Sequence, residues 1–296
     1  MSNSLEIKSL AKIPFAEIFE THLKAFKGYP FQWSKEGLRK TIHRRGYDAS
    51  ISFGAFYKNE LVSFTLNGIG NFNDLKTVYD TGTGTVEKHR GKGRASKIFE
   101  YSIPFLKAEG VQQYILEVLE ENEKAISVYS KQGFTVSRKF DCFRVNTEEW
   151  KLQTANNYKV VFREIDFTYQ SQMKTMIDFN LSWQNNFQAL LKQQNNFKAL
   201  LKQQNNFKLI GAFQENKFVG YGIIEPETGD IPLLTVNKNY RRNGIGTILL
   251  NELKKVNRAA IVKVVNIESN QEAIISFITK NGIPKIVSQF EMLKTI

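Results

Sequence analysis

Hydrophobic and polar positions follow the same order in the two halves of this 296-residue chain. Residues 53–66 read FGAFYKNELVSFTL and residues 210–224 read IGAFQENKFVGYGII, so each half carries two β-rich runs around a polar turn. Another run rich in β-branched residues follows in each half, at 75–89 and at 230–240. The pattern predicts a hairpin and then a third strand in both halves.

A hydrophobic stripe with helical spacing comes after each of these third strands. The stripe residues are Ile98, Tyr101 and Phe105 in the first half and Leu249, Leu253 and Val256 in the second. A single domain usually has roughly 100–200 residues, so the length also favours two domains. We therefore expect two α/β domains of similar construction.

A glycine-containing segment joins the third strand to the helix in both halves. Residues 90–95 read RGKGRA and residues 241–246 read RRNGIG; both fit Arg-x-x-Gly-x-Gly/Ala, and they lie 151 residues apart. A loop of this kind at a helix N-terminus directs backbone N–H groups and the positive end of the helix dipole at an anion. Neither copy has the ending of a P-loop, and the third glycine of a dinucleotide fingerprint is missing from the first copy. The loops are therefore predicted to bind a different phosphate.

Composition narrows the classes of partner. The chain has 41 basic and 29 acidic residues and a formal charge of +12, which fits either a polyanionic partner or a lysine-rich proteome. The basic residues are scattered and show no helix-turn-helix or zinc-finger spacing, which argues against a nucleic-acid binder. Cys142 is the sole cysteine and there are three histidines, so we expect no disulfide and no zinc site. The absence of a long apolar run or a signal-peptide pattern predicts a cytoplasmic protein without a membrane span.

The strand, the glycine loop and the helix together resemble the central motif of the GNAT superfamily, the acyl-CoA-dependent N-acyltransferases. The resemblance covers most of both halves and is to a tandem, two-domain member. It implies two α/β domains of the α+β type, each a mixed, mostly antiparallel sheet flanked by helices, at residues 1–147 and 157–296. The polar residues 146–158 would join them. It also implies acetyl-CoA as the co-substrate, with no metal.

In the family the loop binds the pyrophosphate of coenzyme A, and a backbone N–H on the preceding strand polarises the thioester carbonyl. The resemblance places that N–H near Thr85 and Val86. The residues that it assigns to cofactor binding are Thr85, Val86, Glu87, Arg90, Gly91, Lys92, Gly93, Arg94, Ala95, Ser96 and Asn122 in the first half, and Thr235, Val236, Arg241, Arg242, Asn243, Gly244, Ile245, Gly246, Thr247 and Asn270 in the second.

The second family motif follows in the first half as YILEVLEENEKAISVYSKQGF, residues 114–134. Asn122 stands at the predicted helix start, where the resemblance implies that it orients the cofactor. Tyr129 lies seven residues later on the same helical face as Ala125 and Val128, so its phenol is expected to point inward. The resemblance implies that Tyr129 protonates the leaving thiolate; the alternative is a core tyrosine.

The second half departs from this motif. VVNIESNQEAIISFITKNGI, residues 264–283, supplies Asn270, but the position of the tyrosine is taken by Phe277, or by Ile278 if the alignment slips by one. Neither side chain carries a hydroxyl. The second half is therefore expected to keep the cofactor loop without the proton donor, and to bind coenzyme A, shape the acceptor pocket or support the fold.

The general base is open between two carboxylates. Asp80 and Glu117 lie on the strands expected to flank the thioester, and either acts directly or through water, or is an ordinary solvated or ion-paired group. His89 is predicted to be a surface loop residue, and Cys142 a buried structural thiol. The leading hypothesis is an N-acetyltransferase, monomeric or homodimeric, that acts on a small-molecule or peptide amine. The alternative is a non-catalytic acyl-CoA-binding or regulatory protein.

A ten-residue repeat, QQNNFKALLK and its variants, runs from 184 to 211. Three copies are too few for a solenoid. We expect the duplicated segment to lengthen the entry helix or its loop, with a lid over the acceptor site as the alternative.

Overall fold

The computed structural model describes residues 5–28, 33–157, 159–201 and 207–296, and gives the side chains of all but 195–201. These residues form eight α-helices and twelve strands. The helices are α1 Phe15–Ala25, α2 Lys35–Arg44, α3 Arg94–Ala108, α4 Glu123–Lys131, α5 Gln170–Thr175, α6 Phe187–Leu201, α7 Ile245–Val256 and α8 Glu272–Lys280. The strands are β1 Leu5–Ser9, β2 Phe53–Tyr57, β3 Glu60–Phe72, β4 Leu75–Thr85, β5 Gln113–Leu119, β6 Thr135–Asn146, β7 Val160–Ile165, β8 Lys208–Gln214, β9 Lys217–Glu225, β10 Asp230–Val236, β11 Ile261–Glu268 and β12 Lys285–Thr295.

The chain folds into two compact units that a single cut in the sequence does not separate. The N-terminal unit comprises Met1–Arg138, Gln188–Gln193 and Phe290–Ile296, and the C-terminal unit comprises Lys139–Phe187 and Gln194–Gln289. The end of β12 therefore belongs to the N-terminal unit, and most of β6 belongs to the C-terminal unit.

The N-terminal unit has a mixed sheet with helices on both faces. Strands β1 to β4 are antiparallel neighbours, and β5 is parallel to β4. Hydrophobic residues of α1 and α2 pack with Phe64 and Leu66 on one face of β3. Hydrophobic residues of α3 and α4 pack with Val78 and Tyr114 on the opposite face.

The C-terminal unit repeats this construction. Strands β7 to β10 are antiparallel, β11 is parallel to β10, and β6 is antiparallel to β11. The buried stripe of α7 includes Leu249 and Leu253, as its spacing predicts, and packs in one core with Val262 of β11. Both units thus have the mixed, mostly antiparallel sheet flanked by helices that the sequence predicts.

The parallel strands of each unit pair over a short distance and then separate. In the N-terminal unit the last pair is Tyr79 with Ile115. In the C-terminal unit, among the residues that the structure describes, β10 and β11 pair at Asp230 and Lys263. A β-bulge at Thr81 re-aims β4 where the separation begins, since Leu66 pairs with Gly82 and Asn67 with Asp80. A similar bulge interrupts β10 between Asp230 and Leu233.

The hydrophobic stripe predicted for α3 is only partly the buried face. Ile98 is fully buried, but Tyr101 and Phe105 are about two-fifths exposed, at 40% and 44%. Their rings pack on the ring of Phe53 at the rim of the sheet, with centroids 5.6 and 5.1 Å away. The helix instead buries the adjacent row that contains Leu106, because that row faces β4 and β5.

The polar segment predicted to join the halves is packed rather than extended. Trp150 is fully buried in the core of the C-terminal unit, and its Nε1 donates a hydrogen bond to the Asn281 carbonyl at 2.9 Å. The buried indole of Trp150 anchors this segment to the core. The polar residues around it in the sequence give no sign of this contact.

The ten-residue repeat supplies α6. The residues 188–193 of this helix belong to the N-terminal unit, where Lys192 Nζ donates to the carbonyl of Ile69 at 3.2 Å. Residues 202–206, in the third copy, lie outside the described residues, and β8 begins at Lys208.

Candidate functional site

The first glycine loop ends in a helix N-terminus whose leading N–H groups have no partner within the helix. Gly91 and Gly93 have φ angles of 71° and 64°, in the left-handed region that glycine adopts without strain. The first intrahelical bond runs from Lys97 N to Gly93 O at 3.0 Å. The N–H groups of Arg94, Ala95 and Ser96 therefore point out of the helix end, as an anion site requires.

The second loop has the same geometry. Arg242 and Gly244 have φ angles of 64° and 76°, and the first intrahelical bond runs from Ile248 N to Gly244 O at 3.0 Å. The N–H groups at the start of this helix belong to Ile245, Gly246 and Thr247. Arg242 and Asn243 are exposed beside it.

The arginine that opens each loop braces the loop against its own strand. Arg90 Nε donates to the Thr85 carbonyl at 3.1 Å, and Arg241 Nε donates to the Val236 carbonyl at 2.8 Å. Arg241 also pairs with Asp178, with 2.8 Å between Nη1 and Oδ2, and this pairing lowers the pKa of Asp178. Both arginines therefore hold the start of the loop against the end of the preceding strand, and Arg90 Nη2 also donates to the Ala25 carbonyl at 2.6 Å.

One backbone N–H in each unit faces the gap between the separated strands. Val86 N–H donates to the Val62 carbonyl at 3.0 Å and so belongs to the sheet. Because antiparallel partners alternate in direction, the N–H of Thr85 points away from β3, to the side where β5 has separated. In the C-terminal unit Asn237 N–H is used in the sheet, and Val236 takes the position of Thr85, next to Thr235.

A cluster of three polar side chains, Asp80, Thr83 and Tyr129, lies beside this gap in the N-terminal unit. Thr83 Oγ1 donates to Asp80 Oδ2 at 2.6 Å, and Gly82 N–H donates to Asp80 Oδ1 at 2.8 Å. The Thr83 hydroxyl also lowers the pKa of the Tyr129 phenol, against the larger rise that burial causes. Asp80, Thr83, Tyr129 and Ala95 line one cavity of about 10 Å³. The sequence pointed to Asp80 and Tyr129, but gave no reason to select Thr83.

Burial raises the pKa of both titratable residues of this cluster, Asp80 and Tyr129. It raises the pKa of Asp80 to about 6, against the hydrogen bonds from Thr83 and Gly82 and the charge of Arg45, which lower it. Burial also raises the pKa of Tyr129, and the negative charge of Asp80 adds to the rise. A carboxylate that titrates near neutral pH beside a phenol that stays protonated is a base and an acid in one cavity.

Glu117 lies on the opposite face of the sheet from Asp80. It accepts a hydrogen bond from the hydroxyl of Tyr79, whose own pKa is raised by burial and by the charge of Glu117. The guanidinium of Arg45 stands 5.8 Å from the Tyr79 ring and donates to the Thr81 carbonyl at 3.2 Å. The two carboxylates that sequence reasoning left as equal candidates are thus in different surroundings, and it is Asp80 that lines a cavity together with Tyr129.

The two asparagines of the second motif also differ. Asn122 is the N-cap of α4 and accepts a hydrogen bond from Ala125 N at 3.2 Å, so its carboxamide oxygen holds the helix start. Asn270 bonds to Glu268 and precedes Gln271, which is the N-cap of α8. A part for either asparagine in cofactor binding stays a prediction.

Two residues of the first loop pack inward on Tyr57. The guanidinium of Arg94 lies 5.6 Å from the Tyr57 ring and is buried. His89 is 7% exposed with its ring 5.7 Å from that of Tyr57, so the prediction of a surface histidine is wrong. Burial and the nearby cations lower its pKa. Glu87 and Lys92 are exposed at the loop surface.

In the C-terminal unit aliphatic residues occupy the positions that correspond to Asp80, Thr83 and Tyr129. Counted from the loop arginine, Ile231 and Leu234 stand where Asp80 and Thr83 stand in the other unit. Ile278 precedes Gly282 by four residues, as Tyr129 precedes Gly133, and both glycines end their helices with a positive φ. Ile231, Leu234 and Ile278 line one cavity of about 50 Å³, whose walls also include the polar side chains of Asn266, Glu268 and Gln271.

A larger cavity of about 340 Å³ opens at the second loop. It is lined by the helix end at 244–247, by Arg241 and Arg242, and by Phe277 and Lys280 of α8. The ring of Phe277 lies so close to Gly246 that a Cβ there would be 3.1 Å from it. A helix N-terminus with two arginines and an aromatic ring thus line one pocket.

Among the described residues no group of three or more histidine, cysteine or carboxylate side chains is arranged to hold a metal. No helix within the same residues is long and apolar enough to cross a membrane. Cys142 is buried, and its Sγ is 3.9 Å from Asn266 Oδ1.

Family models match both units of the chain. A model of the acetyltransferase (GNAT) family matches residues 15–134, and a model of the acetyltransferase (GNAT) domain matches residues 166–279. The chain belongs to the GNAT acetyltransferase family and carries two of its domains in tandem.

Individual relatives agree with this assignment. The uncharacterized N-acetyltransferase YobR of Bacillus subtilis is 28% identical over 97 residues, 32% of this chain and 37% of that protein. N-alpha-acetyltransferase 30 of Schizosaccharomyces pombe is 39% identical over 49 residues, 17% of this chain and 33% of that protein. The chain therefore spans about a third of the length of these curated relatives. A tandem GNAT protein from the clavulanic acid biosynthesis pathway superposes over 99% of this chain and 98% of its own, with a TM-score of 0.76 and 11% identity, which is a likeness of fold.

Proposed function

We propose that the protein transfers an acetyl group from acetyl-CoA to an amine and that the N-terminal unit carries the reaction. The observation that supports this assignment is the cluster of Asp80, Thr83 and Tyr129, which line one cavity with Ala95 of the first turn of α3. The reaction needs a base and an acid at that place, and in the C-terminal unit Ile231, Leu234 and Ile278 stand at the positions of Asp80, Thr83 and Tyr129.

Each residue of the proposed site would have a role that follows from its position. The N–H groups of 94–96 and the loop side chains would hold the pyrophosphate of the co-substrate. The N–H of Thr85, which faces the gap, would stabilise the charge that develops on the thioester oxygen during attack. Asp80 would take the proton that the amine loses, and Tyr129 would supply the proton that the departing thiolate gains.

For the C-terminal unit we propose binding of an acyl-CoA without transfer. Its loop, its helix end and its 340 Å³ cavity support a bound cofactor. Ile231, Leu234 and Ile278 supply no proton donor or acceptor in the positions that would need them. The acceptor remains a small-molecule or peptide amine, and the lone buried cysteine fits a reducing cytoplasm.

The experiment has two parts. Saturating acetyl-CoA should raise the melting temperature by linkage, and a panel of small amines and peptides should then be screened for release of coenzyme A. With the best amine, Tyr129→Phe should lower kcat by about 100-fold or more and leave KM for acetyl-CoA nearly unchanged. Tyr101→Phe, a surface change on α3, is the matched control and should behave as the wild type. An unchanged melting temperature and no release with any amine would contradict the proposal.

A further inference from the structure

The cavity of about 50 Å³ in the C-terminal unit lies where β10 and β11 have separated. Its walls come from both strands, from α7 and α8, and from residues 179–182 and 185. Four of the side chains that line it, those of Phe179, Leu234, Ile274 and Phe277, also line the 340 Å³ cavity at the second glycine loop. The two cavities therefore adjoin at these side chains, within one unit.

This gap is roomier than its counterpart in the N-terminal unit. The two cavities measure about 50 Å³ and about 10 Å³. At roughly 10–15 Å³ for each water-sized group, the first takes about four non-hydrogen atoms and the second about one. An acetyl group has a single methyl carbon beyond its carbonyl, which matches the smaller cavity. The larger one fits a longer acyl group.

The walls of the larger cavity are mostly hydrocarbon. Ile231, Leu233, Leu250 and Ile283 are all buried there. An aliphatic chain in contact with them is removed from water, which favours its binding. The one charged side chain in the wall is the carboxylate of Glu268. Like charges repel, so an acyl group that ends in a second carboxylate is disfavoured.

One hydroxyl in this cavity has no hydrogen-bond partner. Ser182 is 1% exposed and lines the cavity, and its Oγ bonds to no other residue that the structure describes. It precedes the short helical turn Trp183–Asn185, where a serine ordinarily accepts from a backbone N–H, but its side chain makes no such bond. A buried hydroxyl without a partner is unfavourable, and a ligand oxygen beside it would relieve that cost.

Other polar side chains of the cavity are already engaged within the protein. Asn185 Nδ2 donates to the Val265 carbonyl at 2.9 Å, and Asn266 Oδ1 accepts from Gln289 Nε2 at 2.5 Å. Ser182 differs from them because its hydroxyl is left for a ligand.

We propose that the C-terminal unit binds an acyl-CoA whose acyl group has about four carbons and carries a neutral oxygen that Ser182 recognises; this rests on the proposed binding of an acyl-CoA by that unit. The pyrophosphate lies at the start of α7, the aliphatic part of the acyl group fills the gap, and its oxygen pairs with Ser182 Oγ. Hydroxyacyl and oxoacyl groups belong to this class. No covalent bond forms or breaks.

Calorimetric titrations of the Ser96→Glu protein test this proposal, because the added carboxylate repels a phosphate at α3 and leaves the C-terminal site to be measured. The probes are acetyl-CoA, butyryl-CoA, 3-hydroxybutyryl-CoA and glutaryl-CoA. Butyryl-CoA should bind about 10-fold more tightly than acetyl-CoA, because two further carbons leave water. The hydroxyl of 3-hydroxybutyryl-CoA should add about 5-fold by pairing with Ser182. Glutaryl-CoA should bind more weakly than butyryl-CoA, because its carboxylate meets Glu268.

Two serine variants in the same background test the role of the hydroxyl. Ser182→Ala should bind butyryl-CoA and 3-hydroxybutyryl-CoA within about 2-fold of each other. Without ligand its melting temperature should equal or exceed that of Ser96→Glu alone, because the substitution removes a buried hydroxyl that has no partner. Ser171→Ala, a change at an exposed serine of α5, is the matched control and should keep the preference for the hydroxylated chain.

The outcomes separate this inference from the proposed function. Equal binding of butyryl-CoA and 3-hydroxybutyryl-CoA to Ser96→Glu, or a preference that survives Ser182→Ala, overturns the inference alone. A clearly lower melting temperature of Ser182→Ala would mean that the hydroxyl has a partner within the protein, which also overturns it. If Ser96→Glu binds none of the four probes, the proposed cofactor site of the C-terminal unit fails and the inference with it.

Discussion

Arg138 donates two hydrogen bonds to the carboxylate of Glu291, from Nη2 to Oε2 at 2.7 Å and from Nε to Oε1 at 2.9 Å. The hydroxyl of Ser137 adds a third contact to Oε1 at 2.7 Å. The Glu291 side chain is 3% exposed, so this is a buried ion pair. Glu291 lies on the last strand, yet the pair belongs to the N-terminal unit, and it therefore holds the C-terminal residues in the fold of the N-terminal ones.

Removal of one partner of this pair should cost more than removal of both. Arg138→Met or Glu291→Met leaves a buried charge without its partner and should lower the free energy of unfolding by about 3–5 kcal/mol. The double variant should lose clearly less than the sum of the two, because no charge is stranded. Urea unfolding of the four proteins measures this cycle. Additive losses would mean that the two side chains stabilise the unit independently.

Asp80 should make the protein less stable as the pH rises. Its folded pKa of about 6 lies above the ordinary value of 3.8, so the folded state holds the proton more tightly than the unfolded state. The stability that this group contributes is full below about pH 4 and is lost as the pH rises through 6. Asp80→Asn removes that dependence, and its stability relative to wild type should improve by about 2–3 kcal/mol between pH 4 and pH 7. Melting curves across this range test it; a constant difference would show that Asp80 has an ordinary pKa.

The same carboxylate should set the lower pH limit of activity. If Asp80 is the base, kcat/KM should fall as the pH drops through about 6, because the protonated carboxyl cannot accept the proton of the amine. Glu117→Gln, on the other face of the sheet, should keep this limb, whereas Asp80→Asn should abolish it along with most of the activity. A limb that disappears in Glu117→Gln would transfer the base to Glu117.

The repeated features were readable from the sequence because they depend on local residue order. The paired loops, the β-rich runs and the helix that carries Tyr129 are short patterns with fixed spacing, and two copies made each more specific. The assignment of residues 290–296 to the N-terminal unit could not be predicted from the sequence. Arg138 and Glu291 are distant in the chain, and no local pattern around either residue indicates that they pair.

The site shows the same division. Asp80 and Tyr129 carry recognisable chemistry in recognisable motifs, but Thr83 is one of several threonines on β4, and its place depends on the bulge at Thr81. The register between β4 and β5 cannot be counted from the sequence, so sequence reasoning could not place Glu117 and Asp80 on opposite faces.

A close backbone approach beside the site should make Gly68 intolerant of a side chain. A Cβ at Gly68 would lie 2.1 Å from the carbonyl oxygen of Arg45, which is backbone and cannot turn aside. Gly68→Ala should therefore lower the free energy of unfolding by about 2–3 kcal/mol. Gly82→Ala, on the neighbouring strand, meets no atom within 4 Å and is the matched control, expected within about 0.5 kcal/mol of wild type. Equal stability of the two variants in urea would contradict the approach at Gly68.

A negative charge placed at the N-terminus of α3 or α7 should show how many coenzyme A molecules the chain binds and which unit binds each. Ser96 and Thr247 are half-buried in the first turns of α3 and α7, where a bound phosphate would lie. Glutamate in a first turn favours the helix dipole, so Ser96→Glu and Thr247→Glu should both fold with melting temperatures equal to wild type or slightly higher. The same charge repels a phosphate. Calorimetric titration with coenzyme A should give two sites per chain in wild type and one in each variant.

Turnover then separates the two sites. Ser96→Glu should abolish acetyl transfer, and Thr247→Glu should retain it, because the proposed acid and base, Tyr129 and Asp80, lie in the N-terminal unit. Wild-type binding of a single coenzyme A, unaffected by Thr247→Glu, would remove the cofactor from the C-terminal unit. Loss of transfer in Thr247→Glu alone would move the reaction there, against the aliphatic residues at Ile231, Leu234 and Ile278.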